Sequence, residues 1–311
     1  MAGTTTTFAR IALIGYGEVG RILAEDLRAQ GLPVDAHDIQ LQRPGSRTAL
    51  LAHAEAQGVR LHAQPAEAVA QAGLVISAVT ASQAVAVAEA AAPHLQHGAV
   101  FLDMNSASPG AKIEAARAVN AAGGRYVEGA VMTSVPPYRI KVPLLLGGPD
   151  AAAVVAPLNA LGFAARVADE RLGIASATKM CRSVMIKGLE AMVIESLATA
   201  RHYGVEDAVV ASLDETFPGI DWEKQAAYFF QRVIEHGRRR AEEVREVART
   251  VREAGLAPWS ASGTAERQAW VADLADAGLF GTRGEPGFAR SADWRTEADR
   301  LLAQVAKERM A

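Results

Sequence analysis

A glycine-rich turn between an apolar strand and a helix constrains the fold of this chain more than any other feature. The turn reads Gly15-Tyr-Gly-Glu-Val-Gly20; it directly follows the apolar segment 11–14 and opens the helical pattern 19–30. A GxGxxG pattern alone is weak evidence, but between a strand and a helix it is typical of dinucleotide-binding domains. The first glycine permits the tight turn, the second lets backbone approach a pyrophosphate, and the third allows close helix–strand packing. The alternative is a turn that only packs a strand against a helix.

The rest of the first half continues this alternation of strands and helices. Strand patterns occur at residues 9–14, 33–37, 60–63, 74–79, 99–104, 125–131, 142–146 and 163–167. Ser108 and Asp150 are predicted to cap the helices that follow them. Such alternation predicts an α/β fold, a Rossmann doubly wound and mostly parallel sheet with helices on both faces. Long helical patterns then cover 174–203, 206–217, 222–254, 261–277 and 296–310. We therefore predict a dinucleotide-binding Rossmann domain over 1–170 and an all-α domain over 171–311.

Composition excludes several classes of function. Half of the residues are hydrophobic, 22% are charged, and the net charge of −3 provides no general basic field for nucleic acid or an anionic membrane. The only cysteine is Cys181, so no disulfide can form within the chain. The chain has neither a secretion-signal pattern nor an apolar stretch suited to a membrane. We expect a cytoplasmic protein with no metal site and no nucleic-acid or membrane partner.

Further cofactor contacts are expected where the other parallel strands end. Asp38 ends the second strand, 18 residues after Gly20, where a carboxylate can bind the ribose hydroxyls of NAD and repel the 2′-phosphate of NADP. Arg43 lies close enough to bind that phosphate instead, and Asp38 could also be an exposed turn residue, so NAD is favoured and NADP stays open. The loops 79–82 and 103–109 follow two more strands. The predicted cofactor-binding residues are Gly15, Tyr16, Gly17, Glu18, Val19, Gly20, Asp38, Val79, Thr80 and Asn105.

A group of polar residues lies on the first long helix of the second half. Lys179, Arg182, Ser183 and Lys187 are spaced i, i+3, i+4 and i+8, so they share one broad face among mostly apolar residues. Cations on such a helix are costly unless they face a cleft or paired anions. The alternative is that their charged ends extend to solvent. A later segment, His236–Arg240, is also rich in basic residues. We expect these side chains to form a solvated helix face; the alternative is that His236 or a neighbouring arginine reaches a cleft.

These motifs together resemble the β-hydroxyacid dehydrogenase superfamily, which includes 3-hydroxyisobutyrate and 6-phosphogluconate dehydrogenases. The chain is most similar to the 6-phosphogluconate dehydrogenase-like oxidoreductases whose C-terminal helical domain has no assigned function. The resemblance depends on the glycine loop, on the segment Asp103–Pro109 in place of D-x-S-T-x-x-P, and on Lys179, which follows Gly173 at the family's spacing. It implies that Lys179 is the catalytic lysine, that the helical domain completes the active site, and that the chain forms a homodimer through this domain.

Two departures from the family pattern bear on the substrate. The D-A-P-V-S-G-G loop reads Glu128-Gly-Ala-Val-Met-Thr-Ser134, and K-x-x-N-N becomes Lys179-Met-Cys-Arg182-Ser183. An arginine suits a second carboxylate or a phosphate on the substrate, which it can bind with two hydrogen bonds.

The resemblance predicts hydride transfer between a nicotinamide and a small β-hydroxy acid, with dicarboxylic and phosphorylated acids among the candidates. Lys179 would be the general acid and base, with a pKa lowered by its apolar surroundings and neighbouring cations. One alternative is an imine reductase, against which the retained lysine argues. Another is a dinucleotide-binding regulator without catalysis. The predicted substrate-binding residues are Ser106, Met132, Thr133, Ser134, Arg182, Ser183 and Lys187.

Overall fold

Eight short segments form one sheet in the computed structural model, which describes residues 8–289, 291 and 293–310. The strands are β1 (Ile11–Ile14), β2 (Val34–His37), β3 (Arg60–Leu61), β4 (Leu74–Ser77), β5 (Val100–Asp103), β6 (Arg125–Val131), β7 (Pro143–Gly147) and β8 (Ala164–Asp169). Their order across the sheet is β3-β2-β1-β4-β5-β6-β7-β8. β6 and β7 pair antiparallel, and the other neighbouring strands pair in parallel. The predicted doubly wound, mostly parallel sheet is therefore confirmed.

Helices cover both faces of this sheet. They are α1 (Glu18–Ala29), α2 (Pro44–Gln57), α3 (Pro65–Val69), α4 (Ala84–Ala91), α5 (Pro109–Ala121) and α6 (Ala151–Ala160). Alternate side chains of a strand point to opposite faces. Accordingly, Ile11 and Leu13 of β1 share one buried cluster with residues of α1, α2 and α6. Ala12 and Ile14 share another with residues of α3, α4 and α5. Two apolar cores thus enclose the sheet.

Three local features refine the predictions made from periodicity. Ser108 caps α5 by accepting a hydrogen bond from the backbone N–H of Ala111, as predicted. The predicted cap at Asp150 is wrong, because this carboxylate instead accepts a hydrogen bond from Arg125. Periodicity also did not predict α2 and α3. Each begins at a proline, which suits the first helical position, and each buries only two side chains, so the apolar pattern is weak.

The second half of the chain is helical, as predicted. Its helices are α7 (Ile174–Tyr203), α8 (Glu206–Thr216), α9 (Trp222–Glu253), α10 (Trp259–Asp276) and α11 (Trp294–Met310). The chain divides into two units between Met180 and Cys181, within α7. The helical unit has its own core, in which Phe230 and Val233 of α9 and Trp294 of α11 are buried. Among the described helices, none is long and apolar enough to cross a lipid bilayer.

Candidate functional site

The three glycines of the loop after β1 meet different surroundings. Gly15 has a φ of +97°, and a Cβ there would lie 2.3 Å from the backbone oxygen of Ala78. A Cβ on Gly20 would lie 2.1 Å from the backbone oxygen of Gly15. A Cβ on Gly17 would meet no protein atom within 4 Å. Gly15 and Gly20 are therefore required by the fold, whereas the space at Gly17 is open for a ligand.

Gly17 is also the N-cap residue of α1. It has no side chain that could occupy the free N–H groups of the first helical turn, and these groups carry the positive end of the helix dipole. Glu18 is exposed at this turn, whereas Val19 is partly buried and packs against the core. The loop thus presents backbone donors of the kind that bind a pyrophosphate at a helix N-terminus.

The side chain of Tyr16 points into the protein. It is fully buried, and its hydroxyl lies 3.0 Å from Nδ1 of His53 on α2, whose Nε2 lies 3.0 Å from a carboxylate oxygen of Glu25. Burial raises the pKa of Tyr16 to about 12, so its hydroxyl stays protonated near neutral pH. Tyr16 can therefore reach a ligand in the loop only through its backbone.

Asp38 joins the glycine loop to the end of β2. One of its carboxylate oxygens accepts a hydrogen bond of 2.6 Å from the backbone N–H of Tyr16. The other accepts one of 2.8 Å from the backbone N–H of Gln40, in the short 3₁₀ turn Ile39–Gln42. The side chain is buried, so Asp38 is not the exposed turn residue considered above. Each oxygen keeps a second lone pair, with which it could accept from a ribose hydroxyl.

Asn105 connects the loops after β4 and β5. Its amide oxygen accepts a hydrogen bond of 2.6 Å from the backbone N–H of Val79, and its amide nitrogen donates one of 2.9 Å to the hydroxyl of Ser77. Asn105 is buried, whereas Thr80 is exposed at the start of a 3₁₀ turn. The side chain of Asn105 thus holds two predicted cofactor loops side by side.

The buried carboxylate of Asp103 organises the loop that contains Asn105. It forms an ion pair with Lys112 Nζ at 2.9 Å, and it accepts hydrogen bonds from the Tyr126 hydroxyl at 2.6 Å and the backbone N–H of Asn105 at 2.9 Å. Burial and then the nearby negative charge of Asp103 raise the pKa of Tyr126 well above its ordinary value. Because the ammonium of Lys112 compensates the buried charge, the network fixes the loop after β5.

Lys179 and Ser106 meet on this loop. The ammonium of Lys179, in the second turn of α7, donates a hydrogen bond of 2.6 Å to the hydroxyl of Ser106. Both side chains are partly buried, and both belong to the sheet-containing unit. The two residues are 73 positions apart in sequence, so the fold brings this predicted pair together.

Glu128, in the middle of β6, holds the beginning of α7. Its carboxylate is fully buried and accepts hydrogen bonds from the backbone N–H groups of Gly173, at 2.6 Å, and Ser176. A carboxylate is favourable here because the N-terminus of a helix carries a partial positive charge. The side chain that replaces the family's aspartate thus fixes the turn that precedes Lys179.

The three predicted substrate residues after β6 differ in exposure. Met132 is partly buried, its backbone N–H donates to the carbonyl of Pro143, and its side chain packs against Ala130 and Leu145. Thr133 is exposed, and Ser134 is partly buried. Met132 therefore contributes to packing, and Thr133 is the most accessible of the three.

Arg182, Ser183 and Lys187 belong to the helical unit. Arg182 is exposed, whereas Ser183 and Lys187 are buried. The ammonium of Lys187 forms an ion pair with Glu243 of α9. Burial lowers the pKa of Lys187, and the negative charge of Glu243 opposes this shift. The sequence predicts that the cations of this helix face either a cleft or paired anions, and Lys187 has a paired anion.

A second buried ion pair lies beside the first. Arg240 of α9 pairs with Glu190 of α7, and Gln268 of α10 donates to the same carboxylate at 3.3 Å. The solvated face predicted for His236–Arg240 is correct for Arg238 and Arg239, which are exposed, but wrong for Arg240. The helix turns Arg240 toward α7, where a buried carboxylate compensates its charge.

Sequence reasoning missed the residues that support the site, namely His53, Lys112, Tyr126 and Glu128. One of them had a signal in the sequence. Lys112 lies between the buried positions Ala111 and Ala115 of α5, so a lysine on the apolar face of that helix indicated a buried partner. The partners of the others depend on strand pairing. Within the described ranges, no group of three His, Cys, Asp or Glu side chains could hold a metal ion.

Comparisons with known proteins agree with this architecture. Residues 10–153 match the family model described as the NAD binding domain of 6-phosphogluconate dehydrogenase, and residues 200–271 match a domain of unknown function, DUF1932. A conserved hypothetical protein from Sinorhizobium meliloti is 38% identical, with 96% of this chain and 98% of that chain covered and a TM-score of 0.75.

Two further structures extend the likeness. A conserved protein of unknown function, reported as structurally similar to 3-hydroxyacid dehydrogenases, is 28% identical over 86% of this chain and 99% of its own, with a TM-score of 0.65. The 3-hydroxyisobutyrate dehydrogenase of Mycobacterium tuberculosis is 16% identical over 95% of this chain and 99% of its own, with a TM-score of 0.66. At that identity the likeness shows the fold alone.

Proposed function

Because this chain belongs to the family in which an NAD binding domain of the 6-phosphogluconate dehydrogenase type precedes the domain DUF1932, we propose that it is an NAD(P)-dependent dehydrogenase acting on a small β-hydroxy acid. The observation that carries the proposal is the hydrogen bond between Lys179 and Ser106, in the same unit as the glycine loop. A lysine ammonium held by a hydroxyl at a loop after a parallel strand suits proton transfer to a bound alcohol or ketone.

The residues of the loop fit a dinucleotide. The open space at Gly17 leaves room for a pyrophosphate against the first turn of α1, and the carboxylate of Asp38 stands at the end of β2. When bound, the nicotinamide group supplies the hydride acceptor or donor. Gly15 and Gly20 allow the loop to pack closely, because a Cβ at either position would collide with a backbone oxygen.

Lys179 moves the proton. In the oxidative direction its neutral amine accepts the hydroxyl proton of the substrate, and in the reductive direction its ammonium returns a proton to the carbonyl oxygen. Ser106 accepts a hydrogen bond from Lys179 and so orients the nitrogen. Thr133 and Ser134 would contact the substrate from the loop after β6.

The test compares wild type, Lys179→Ala and the control Lys141→Ala, which removes an exposed lysine of the same unit. Each protein is assayed with NAD and NADP against β-hydroxy acids, including dicarboxylic and phosphorylated ones, and against imines. We expect turnover of a hydroxy acid whose kcat falls about 1000-fold in Lys179→Ala, while NADH binding persists and the control is unchanged.

Three results would contradict this proposal. Equal turnover by wild type and Lys179→Ala would remove Lys179 from the mechanism. Turnover of imines alone would identify an imine reductase, and dinucleotide binding without turnover of any compound would favour a regulator.

We also propose NAD as the preferred cofactor, because the carboxylate of Asp38 would repel a 2′-phosphate. Wild type should bind NADH at least about tenfold more tightly than NADPH, and Asp38→Asn should reduce that ratio. Fluorescence titration measures both dissociation constants, and Glu55→Gln, an exposed change on α2, serves as the control. An unchanged ratio in Asp38→Asn would assign the preference to other residues, with Arg43 the first to examine.

A further inference from the structure

Glu128 is a buried carboxylate whose hydrogen bonds go beyond what the packing of apolar side chains would require. Its side chain is fully buried, and both carboxylate oxygens are directed at backbone N–H groups of the turn that begins α7. One accepts from Gly173 and the other from Ser176, so the carboxylate spans the first turn of the helix. A buried charge is costly unless hydrogen bonds compensate it, and here the helix N-terminus provides them.

The strand register links this carboxylate to the other half of the Lys179–Ser106 pair. Glu128 of β6 is the register partner of Asp103 in β5. Asp103 fixes the loop that contains Ser106, and Glu128 fixes the helix that carries Lys179. Two neighbouring buried carboxylates therefore hold the two segments whose side chains meet 2.6 Å apart.

A neighbouring glycine leaves the space that Glu128 occupies. A Cβ added at Gly147 of β7 would lie 2.7 Å from the carboxylate oxygen Oε2 of Glu128. The backbone of Gly147 does not have a positive φ, so an alanine there would be resisted by contact with Glu128 rather than by its own conformation. The carboxylate can therefore be disturbed without changing its charge.

We propose that Glu128 is a positioning residue that sets the ammonium of Lys179 against Ser106 by holding the first turn of α7. This inference deepens the function proposed above and depends on it for its catalytic consequence. Lys179 lies one turn after Ser176, so a shift of the first turn displaces the ammonium. Misplacement of a catalytic group by about 1 Å can cost about 100-fold in rate.

The test uses two variants that disturb the same contact in different ways. Glu128→Gln keeps the size but turns an amide NH₂ toward one of the two backbone donors, and Gly147→Ala pushes on the intact carboxylate. The control is Glu170→Gln, which removes an exposed carboxylate just before α7. We expect kcat to fall about 100-fold in both variants, with the dissociation constant for NADH within about twofold of wild type.

A second measurement does not need turnover. The rate at which an amine-reactive acylating reagent modifies Lys179 is followed against pH by peptide mass spectrometry. If Glu128 positions Lys179, both variants should shift this profile toward that of a free lysine, because the hydrogen bond to Ser106 is lost. Glu170→Gln should retain the wild-type profile. If Glu128 only stabilised the fold, its variants would have a lower melting temperature but an unchanged pH profile of acylation.

The outcomes separate the two proposals. A kcat within twofold of wild type, or an unchanged acylation profile in folded variants, would overturn the role of Glu128. If Glu128→Gln does not fold, Gly147→Ala decides by the same criteria. If wild type turns over no substrate, the proposed function fails, and the acylation profile alone decides whether Glu128 positions Lys179.

Discussion

Among single residues, the glycines of the first loop show that one residue type can be required for different reasons. Gly15 and Gly20 lie where any side chain would collide with a backbone oxygen, and Gly15 also has a left-handed conformation. Gly17 faces open space. The pattern Gly-x-Gly-x-x-Gly thus combines two positions that the fold requires with one position that a ligand would require.

Substitution by alanine should separate these reasons. Gly15→Ala should destabilise the protein by about 3 kcal/mol, because it combines a strained φ with a backbone collision. Gly17→Ala should change the free energy of unfolding by less than about 1 kcal/mol, yet weaken NADH binding about tenfold. Thermal unfolding and fluorescence titration measure the two effects. Wild-type NADH binding by a folded Gly17→Ala would show that no phosphate approaches this position.

Between elements, buried polar groups make the connections that specify the site. Asp103 joins β5 to α5 and β6 through Lys112 and Tyr126. In the helical unit, Lys187 and Glu243 join α7 to α9. Such groups must be paired, because an isolated buried charge costs several kcal/mol. Buried polar pairs therefore limit the packing geometry of neighbouring elements more strictly than apolar contacts do.

The ion pair between α7 and α9 predicts a non-additive response. Lys187→Met should destabilise the protein by about 3 kcal/mol, because it leaves the carboxylate of Glu243 without its buried partner. The double variant Lys187→Met/Glu243→Leu should recover most of that loss. Urea denaturation measures the free energies, with the exposed Lys224→Met as the control.

A small effect of Lys187→Met would mean that the pair does not hold the two helices together. If Lys187→Met changed the free energy of unfolding by less than about 0.5 kcal/mol, the substitution would behave like one at the surface. Lys187 would then be available for the substrate-binding role that the sequence predicted.

For the chain as a whole, the helical unit exposes large apolar side chains. Tyr203 is 73% exposed and Trp259 is 83% exposed, and Met185 and Met192 of α7 are also exposed. Exposed aromatic and methionine side chains are enriched where proteins associate. We therefore propose that this unit forms the homodimer that the resemblance implies.

Light scattering after size exclusion should therefore report about twice the chain mass of 32.7 kDa. The double variant Tyr203→Ser/Trp259→Ser should shift the population toward monomer at the same concentration, because it removes apolar area that an interface would bury. Tyr138→Ser removes an exposed tyrosine of the sheet-containing unit and should leave the mass unchanged. A wild-type monomer at every concentration would exclude the dimer.

Local pattern in the sequence was sufficient for the strands and the long helices, although it did not predict α2 and α3. The eight strands, the glycine loop and the five long helices followed from periodicity, glycine positions and caps, each of which acts over a few residues. These elements in turn predicted the order of the domains along the chain, an α/β unit followed by a helical unit. The resemblance to a family of dehydrogenases also made Lys179 and Ser106 separate candidates for the site.

Contacts between distant residues could not be read in the same way. Glu128 meets Gly173 across 45 positions, Lys187 meets Glu243 across 56, and Lys179 meets Ser106 across 73. Such partners are chosen by strand register and helix packing, which depend on the burial of many apolar groups at once. The sequence therefore supplies the candidate residues, and the folded chain selects their partners, because a buried charge is stable only where the fold supplies its counterpart.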